Sequence, residues 1–430
     1  MRLASLIAVV VVGFTAACGS ETPSIEGSST GEGTSSGGAF GGASGSSGAG
    51  PSAPKPGGGS FCDGKGGIQL PGTSLCTADL ASRTFRFGLC SCRDLTLSGN
   101  LVTSSFDSAT GKSNQKGGSI GTNGALVNSG SSQVGGTSWS AKETTFSGYA
   151  AIAGHLRAGG GVTANGSAEV GGDLFSPTAP RGQVTVLGTQ HVPATVAPPC
   201  DCGAPLPIAD YIAAFAKDND NAAISLKPGD LASVNGPREV KLPCGRYYLD
   251  EIGGGGNLTL VIGGRVALFV RGDVSMGGAL DLELAPGAQL DVFVGGSFIV
   301  SGGTEVGNLA APATVRMYVA GPRVTFDGSA TIAANVYAPN AVVDTGGSLR
   351  ARGAVAARTF TASGSVDVAY DEAILKVEGC AAPSAPCKTC NDCGGSAPAC
   401  NGGTCGACKT DADCCAPLSC RDGACVAPIK

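Results

Sequence analysis

Charge, aromatic rings and imidazole are all scarce in this 430-residue chain. Charged residues make up 14%, with a formal net charge of −5 and no Lys/Arg cluster, so a basic footprint for nucleic acid is absent. Two His and one Trp leave few groups for acid/base or metal chemistry. The apolar run from Leu3 to Phe14 is too short for a comfortable membrane span. Glycine is abundant, at 71 residues. It is aperiodic in one part and periodic in another, so the chain is neither collagen nor wholly disordered.

The periodic part carries the fold. Gly130, Gly148, Gly166 and Gly182 fall 18, 18 and 16 residues apart. Ile120-Gly121, Val134-Gly135, Ile152-Ala153, Val170-Gly171 and Val186-Leu187 are read as keeping the same time. Two columns with a period near 18 predict a coil of short apolar strands and glycine turns. A second series follows, with longer and oilier rungs. Phe269-Val270, Phe293-Val294, Tyr318-Val319, Tyr337-Ala338 and Ala356-Ala357 recur at spacings of 24, 25, 19 and 19, with Gly278, Gly303, Gly328, Gly347 and Gly364 as partner turns. The stacked aromatics are expected to fill the coil interior. Between the two series, Ile208, Tyr211, Ile212 and Phe215 have the spacing of a short amphipathic helix. The expected fold is all-β: a right-handed parallel β-helix with a short helical insert, followed by a small disulfide-rich module.

The domain reading follows from composition. Residues 1–17 read as a signal peptide, with Met1-Arg2 ahead of the apolar run. Residues 18–60 are a Gly/Ser tether with almost no large apolar side chain, spanning roughly 35 Å end to end. Residues 61–93 read as a cysteine-containing N-terminal cap, 94–192 as the first half of the solenoid, 193–256 as the insert, 257–376 as the second half, and 380–430 as the disulfide-rich tail.

The 19 cysteines suit an oxidising compartment. Thr15-Ala16-Ala17-Cys18 resembles a bacterial lipobox, although that motif usually has Leu where Thr15 stands. The resemblance implies lipidation at Cys18, a membrane partner through the lipid anchor, and, with Gly19 where Asp would hold the protein at the inner membrane, an outer-membrane lipoprotein at the cell surface. A periplasmic face or secretion after an ordinary signal peptide are the alternatives. Parity favours lipidation, because the other 18 cysteines can then all pair. Cys62, Cys76, Cys90, Cys92, Cys200, Cys202 and Cys244 lie in the body. With Cys380 they make eight. Cys387, Cys390, Cys393, Cys400, Cys405, Cys408, Cys414, Cys415, Cys420 and Cys425 make ten in the tail. Zinc is the alternative there, since Cys390-x2-Cys393 and Cys405-x2-Cys408 look like a four-cysteine ribbon. The adjacent pair Cys414-Cys415 flanked by single cysteines resembles knottins and the Dickkopf-type cysteine-rich repeat.

Val336-Tyr337-Ala338-Pro339-Asn340, then Gly353-Ala354-Val355-Ala356-Ala357, then Tyr370-Asp371-Glu372-Ala373-Ile374-Leu375 resemble an uncharacterised β-helix family of bacterial surface lipoproteins and pilus-assembly-type proteins. The earlier short rungs are similar to bactofilins. Neither resemblance implies a catalytic motif.

Three polar groups invite a chemical reading. Thr137, His155 and Asp173 are 18 apart and should sit about 5 Å apart on adjacent rungs. They read either as nucleophile, base and orienter or as a polar ladder beside a turn. Asp327 and Asp344 lie on successive rungs, but a spacing of 19 sets Asp344 over Thr325. Asp218-Asn219-Asp220-Asn221 offers oxygens to calcium, or simply ends the short helix. No catalytic, cofactor-binding or metal site is expected from these. The expected function is a non-enzymatic lipid-anchored envelope protein, a β-helix stalk displaying a cysteine-rich module for adhesion, recognition or structural support. Its expected partner is a glycan or protein at the surface, and not nucleic acid. The alternatives are a polysaccharide-active β-helix enzyme or a self-assembling envelope scaffold.

Overall fold

The computed structural model describes residues 59–380, except 63, 65, 72 and 74, with scattered positions between 389 and 426. The signal peptide, Cys18, all but the last two residues of the tether, Cys387, Cys390 and Cys393 lie outside the described residues. The body is a parallel β-helix whose strands form one 32-stranded sheet. Each turn has three sides. Ile120–Thr122, Leu126–Asn128 and Ser132–Val134 make one turn. The next stacks on it in parallel, with Ile120 against Ser138, Leu126 against Thr144 and Val134 against Ile152. Apolar residues at alternate positions point inward, and the glycine turns let successive rungs close up.

The coil is not traced in chain order. Its first rung, Leu89–Ser91, Leu95–Leu97 and Leu101–Asp107, lies between Ile120–Val134 on one side and the last rung of the second half on the other. Across that seam Leu89 pairs with Val355, Leu95 with Phe360 and Leu101 with Val366. The chain therefore enters mid-coil and winds outward to Gln190–His191. It returns along the outside and starts again at the far end with Arg238–Leu242, winding back to the middle. One glycine column runs through the seam: a Cβ on Gly347 would strike the carbonyl of Gly328, on Gly364 that of Gly347, on Gly99 that of Gly364, and on Gly130 that of Gly99. Any side chain in this corner would push two rungs apart. Gly182 stands outside the column, because the register shifts after Ala164 and sets it against that residue.

Two expected boundaries are corrected by this path. Residues 61–93 do not cap a coil end. Leu89–Ser91 is already a coil strand, and the preceding helix Thr77–Thr84 lies on the flank. The insert is shorter than 193–256, because Arg238–Leu242 and Gly245–Leu249 pair in register with Leu258–Ile262 and Arg265–Val270. A terminal rung has no earlier repeat to match, so its sequence shows no beat.

The aromatic column is also corrected. Phe269, Phe293, Tyr318 and Tyr337 are in register, but they belong to a core separate from the coil interior. They point outward and are buried by Ile208, Tyr211, Ile212 and Phe215 of the helix Ile208–Phe215 and by Ile68, Leu80 and Phe85. Phe269 and Phe293 stack at 4.9 Å between ring centres, Phe293 and Tyr318 at 4.7 Å, and Phe215 covers Phe269 at 4.5 Å. These strands are buried on both faces, so no alternation marks which face is the interior.

Four disulfides fix the path: Cys62–Cys244, Cys76–Cys380, Cys90–Cys200 and Cys92–Cys202. The first two tie the N-terminal flank to both ends of the second half. The others tie the returning segment to the first rung. The far end of the second half is plugged by Leu226, Leu231 and Val234, all buried in the main core. Among the described residues the opposite end is bare: Arg181–Val186 and Gln190–His191 are paired on one side only, and Leu187 is 67% exposed.

Candidate functional site

The row Thr137, His155 and Asp173 is in place, and its hydrogen bonds define its role. Ser119 Oγ accepts from the Thr137 N–H (3.0 Å) and Thr137 Oγ1 from the His155 N–H (3.4 Å). His155 Nδ1 accepts from the Asp173 N–H (2.9 Å), and Asp173 Oδ1 from the Thr189 N–H (2.9 Å). Each side chain satisfies the turn amide of the next rung. The same device recurs elsewhere, with Asp94 Oδ1 on Ala125, Asn257 Oδ1 on Ala279 and Asp273 Oδ1 on Ser297. A general base needs its free nitrogen aimed at the nucleophile. His155 Nδ1 instead accepts from a backbone donor, the Asp173 N–H. The Thr189 N–H holds the Asp173 carboxyl below the usual carboxylate range, with help from the two histidines and against some desolvation. His191 Nε2 lies 3.6 Å from Asp173 Oδ2.

The other candidates are structural too. Asp344 sits in register with Thr325 and not with Asp327. In the 218–221 run, Asp220 Oδ2 accepts from the Arg246 N–H (2.7 Å), and Asn221 exchanges two bonds with the Tyr248 backbone. These bonds fasten the turn after the helix to Gly245–Leu249. In the tail, the Cys408, Cys414 and Cys420 sulfurs cluster within 4.8 Å. Cys408 and Cys420 are bonded to each other, and Cys400, Cys414 and Cys415 are also in disulfides, so this is bridge packing and not a thiolate set. Cys400 lies opposite Cys405, and Cys420 opposite Cys425, in two small hairpins.

Two clusters escaped the sequence reading. Asp291 and Arg316, 0% and 2% exposed, form a bidentate pair with both contacts at 2.7 Å. Tyr318 donates to Asp291, and Arg316 also donates to the Gly66 and Ala313 carbonyls. Burial alone would lower the Arg316 pKa, but Asp291 more than offsets it and holds the guanidinium charged. Arg265 adds bonds to the Phe61, Gly66 and Gly67 carbonyls. The two arginines thus hold the N-terminal flank on the coil. On the same side of the first half, Trp139, Arg157, Phe175 and His191 lie in one outward register. Arg157 stands 4.3 Å over Phe175, and Phe175 stacks on His191 at 4.4 Å. The Trp139 indole N–H donates to the Ala197 carbonyl (2.8 Å), so this ladder carries the returning segment.

That side of the coil is therefore covered along its length. The third side, formed by strands such as Ser348–Arg352, Leu101–Asp107, Ser132–Val134 and Tyr149–Ile152, is not covered by any of the described residues. Two adjoining grooves of about 380 Å³ and 550 Å³ lie on it and share Val102.

Stacked parallel turns around an apolar interior define the class, a parallel β-helix. A family model for a domain of unknown function (DUF7305) matches residues 191–377, which is the returning segment and the second half of the coil. No curated protein and no solved structure matches the chain.

Proposed function

We propose that this protein is a non-enzymatic, lipid-anchored envelope protein of the outer membrane. Its stapled β-helix holds a cysteine-rich module and one open sheet face toward the surroundings, for adhesion, recognition or structural support. One observation carries the reading: the polar residues that looked most like catalytic groups are spent on joining rungs, while a whole side of the coil is left exposed by the described residues. The lipobox-like Cys18 and the tether support the anchor. A glycoside hydrolase ordinarily needs a pair of carboxyl groups about the scissile bond. The groove beside Tyr149 is lined by one, Glu169. Protease shaving of intact cells carrying an epitope tag after Lys430 tests the placement. Loss of the tag without lysis supports surface recognition. Protection until the outer membrane is permeabilised moves the protein to the periplasm and leaves structural support.

The bare end favours a second reading, self-association. Arg181–Val186 offers an unpaired edge and Leu187 an exposed apolar tip. The opposite end is plugged, so pairing through the bare end stops at two copies. Sedimentation would show a dimer that Leu187→Lys dissolves; a monomer at high concentration would exclude it.

A further inference from the structure

We propose that the exposed third side of the coil is a binding trough for a neutral linear polysaccharide, with Tyr149 as its stacking platform. This rests on the recognition reading above and names its ligand. The floor is unusually flat. Gly135, Ala151 and Gly171 line the groove where larger side chains would fill it. Tyr149 rises beside this floor and is 45% exposed, an aromatic ring facing water on an otherwise ring-poor surface. Sugar rings present a face of C–H bonds that packs on such a ring, as an apolar body with polar edges. Gln133 and Glu169 stand in register on either side of Ala151, two rungs apart and so roughly 9.6 Å from each other. A planar amide and a carboxylate each bridge neighbouring hydroxyls, and their separation is close to the length of a disaccharide.

The wall is built deliberately into the sequence. The hairpin Leu101–Asp107 and Lys112–Asn114 leaves the coil and returns through Gln115–Gly118, which lies down on the sheet. It can do so because Gly135 has no side chain: a Cβ there would strike the carbonyls of Gln115, Gly117 and Thr103. Gly118 takes a φ of +75°, a left-handed turn that brings the chain back to the coil. The trough continues past Val102 into the second groove, where Arg350 and Asp367 are paired at 3.9 Å. Its length suits a polymer. Its charges nearly cancel, which suits a neutral chain. A peptide is the weaker fit, because strand addition needs an unpaired edge. The strands of this floor are hydrogen-bonded on both sides.

The test is calorimetric titration of the full mature chain with cellohexaose, chitohexaose and mannohexaose. At least one should bind. Tyr149→Ala should then weaken binding about tenfold, the loss of one ring contact, and Tyr149→Phe should retain it. Gln133→Ala combined with Glu169→Ala should weaken it further. All three positions are exposed, so unchanged far-ultraviolet circular dichroism and melting confirm that the variants fold. No binding to any of the three sugars, or binding that Tyr149→Ala leaves intact, overturns the proposal. If the surface tag is still shaved from cells in that case, the recognition reading stands and only the trough assignment falls.

Discussion

The two halves of the coil solve the same packing problem in different ways. The second half, Arg238 to Asp371, has long rungs, an apolar interior that also holds Phe298, Phe326 and Phe360, and an aromatic outer core closed by a helix. The first half, Leu89 to His191, has thin rungs whose interior includes buried Ser91, Thr122, Asn128, Ser138, Ser140 and Thr144. Ser91 Oγ donates to the Asp94 and Arg358 carbonyls, and Ser140 Oγ sits 2.6 Å from Thr144 Oγ1. Side-chain burial dominates one half, and the backbone ladder with its corner caps dominates the other. Caps work only when each polar group stands over the next amide, which matches the beat near 18 from Thr137 to Asp173. A broad apolar core tolerates rungs of uneven length, so the second half keeps no such beat.

Breaking the second half should have the largest effect. Arg316→Ala leaves Asp291 buried and unpaired, and should cost about 3–5 kcal/mol in denaturant unfolding. In the first half, removing both Cys90–Cys200 and Cys92–Cys202 by serine substitution should cost about 2–5 kcal/mol. Removing one should cost far less, because the other closes nearly the same loop. Trp139 reports this directly: it is the single tryptophan, and its emission should shift to the red only in the double-bridge variant. A third change sharpens the contrast in the opposite direction. The Asn128 carboxamide is buried with no hydrogen-bond partner among the described residues. Asn128→Leu should stabilise the first half by about 1–2 kcal/mol in thermal melts. The smallest effect is at the bare end. Asp173 is held below its ordinary range, so its contribution is present above the unfolded carboxylate pKa and fades as pH falls through the lower, folded value. Amide exchange of Thr189 should accelerate relative to its intrinsic rate in that acid window, and Asp173→Asn should remove the pH dependence.

Much of this was legible in the residues. The 18-residue beat gives the rungs, and Ile208, Tyr211, Ile212 and Phe215 mark the helix and the face it buries. The direction of the aromatic column was not legible, because strands buried on both faces carry no phase. The seam was hidden for a related reason. Leu89 stacks on Val355 as readily as any apolar triplet stacks on another, so nothing local says which edge meets which. The cysteines hold that information, but only through their pairing, which spacing does not reveal. The Asp291–Arg316 pair keeps the 25-residue spacing of Phe293 and Tyr318, each residue two positions before its ring, but an acid and a base at that spacing carry no sign that they are buried. In the trough, Tyr149 reads as one more strand aromatic until the neighbouring floor is seen to be glycine and alanine.

Entry of the chain at the middle of its coil is what distinguishes this fold from a simply wound one. Mapping the native disulfides by mass spectrometry of the unreduced, proteolysed protein tests it most directly. Peptides joining Cys76 to Cys380 and Cys62 to Cys244 are expected. In a coil wound in simple chain order, Cys76 and Cys380 would stand at opposite ends and could not meet. Recovery of local bridges such as Cys62–Cys76 or Cys90–Cys92 would contradict the seam and the path built on it.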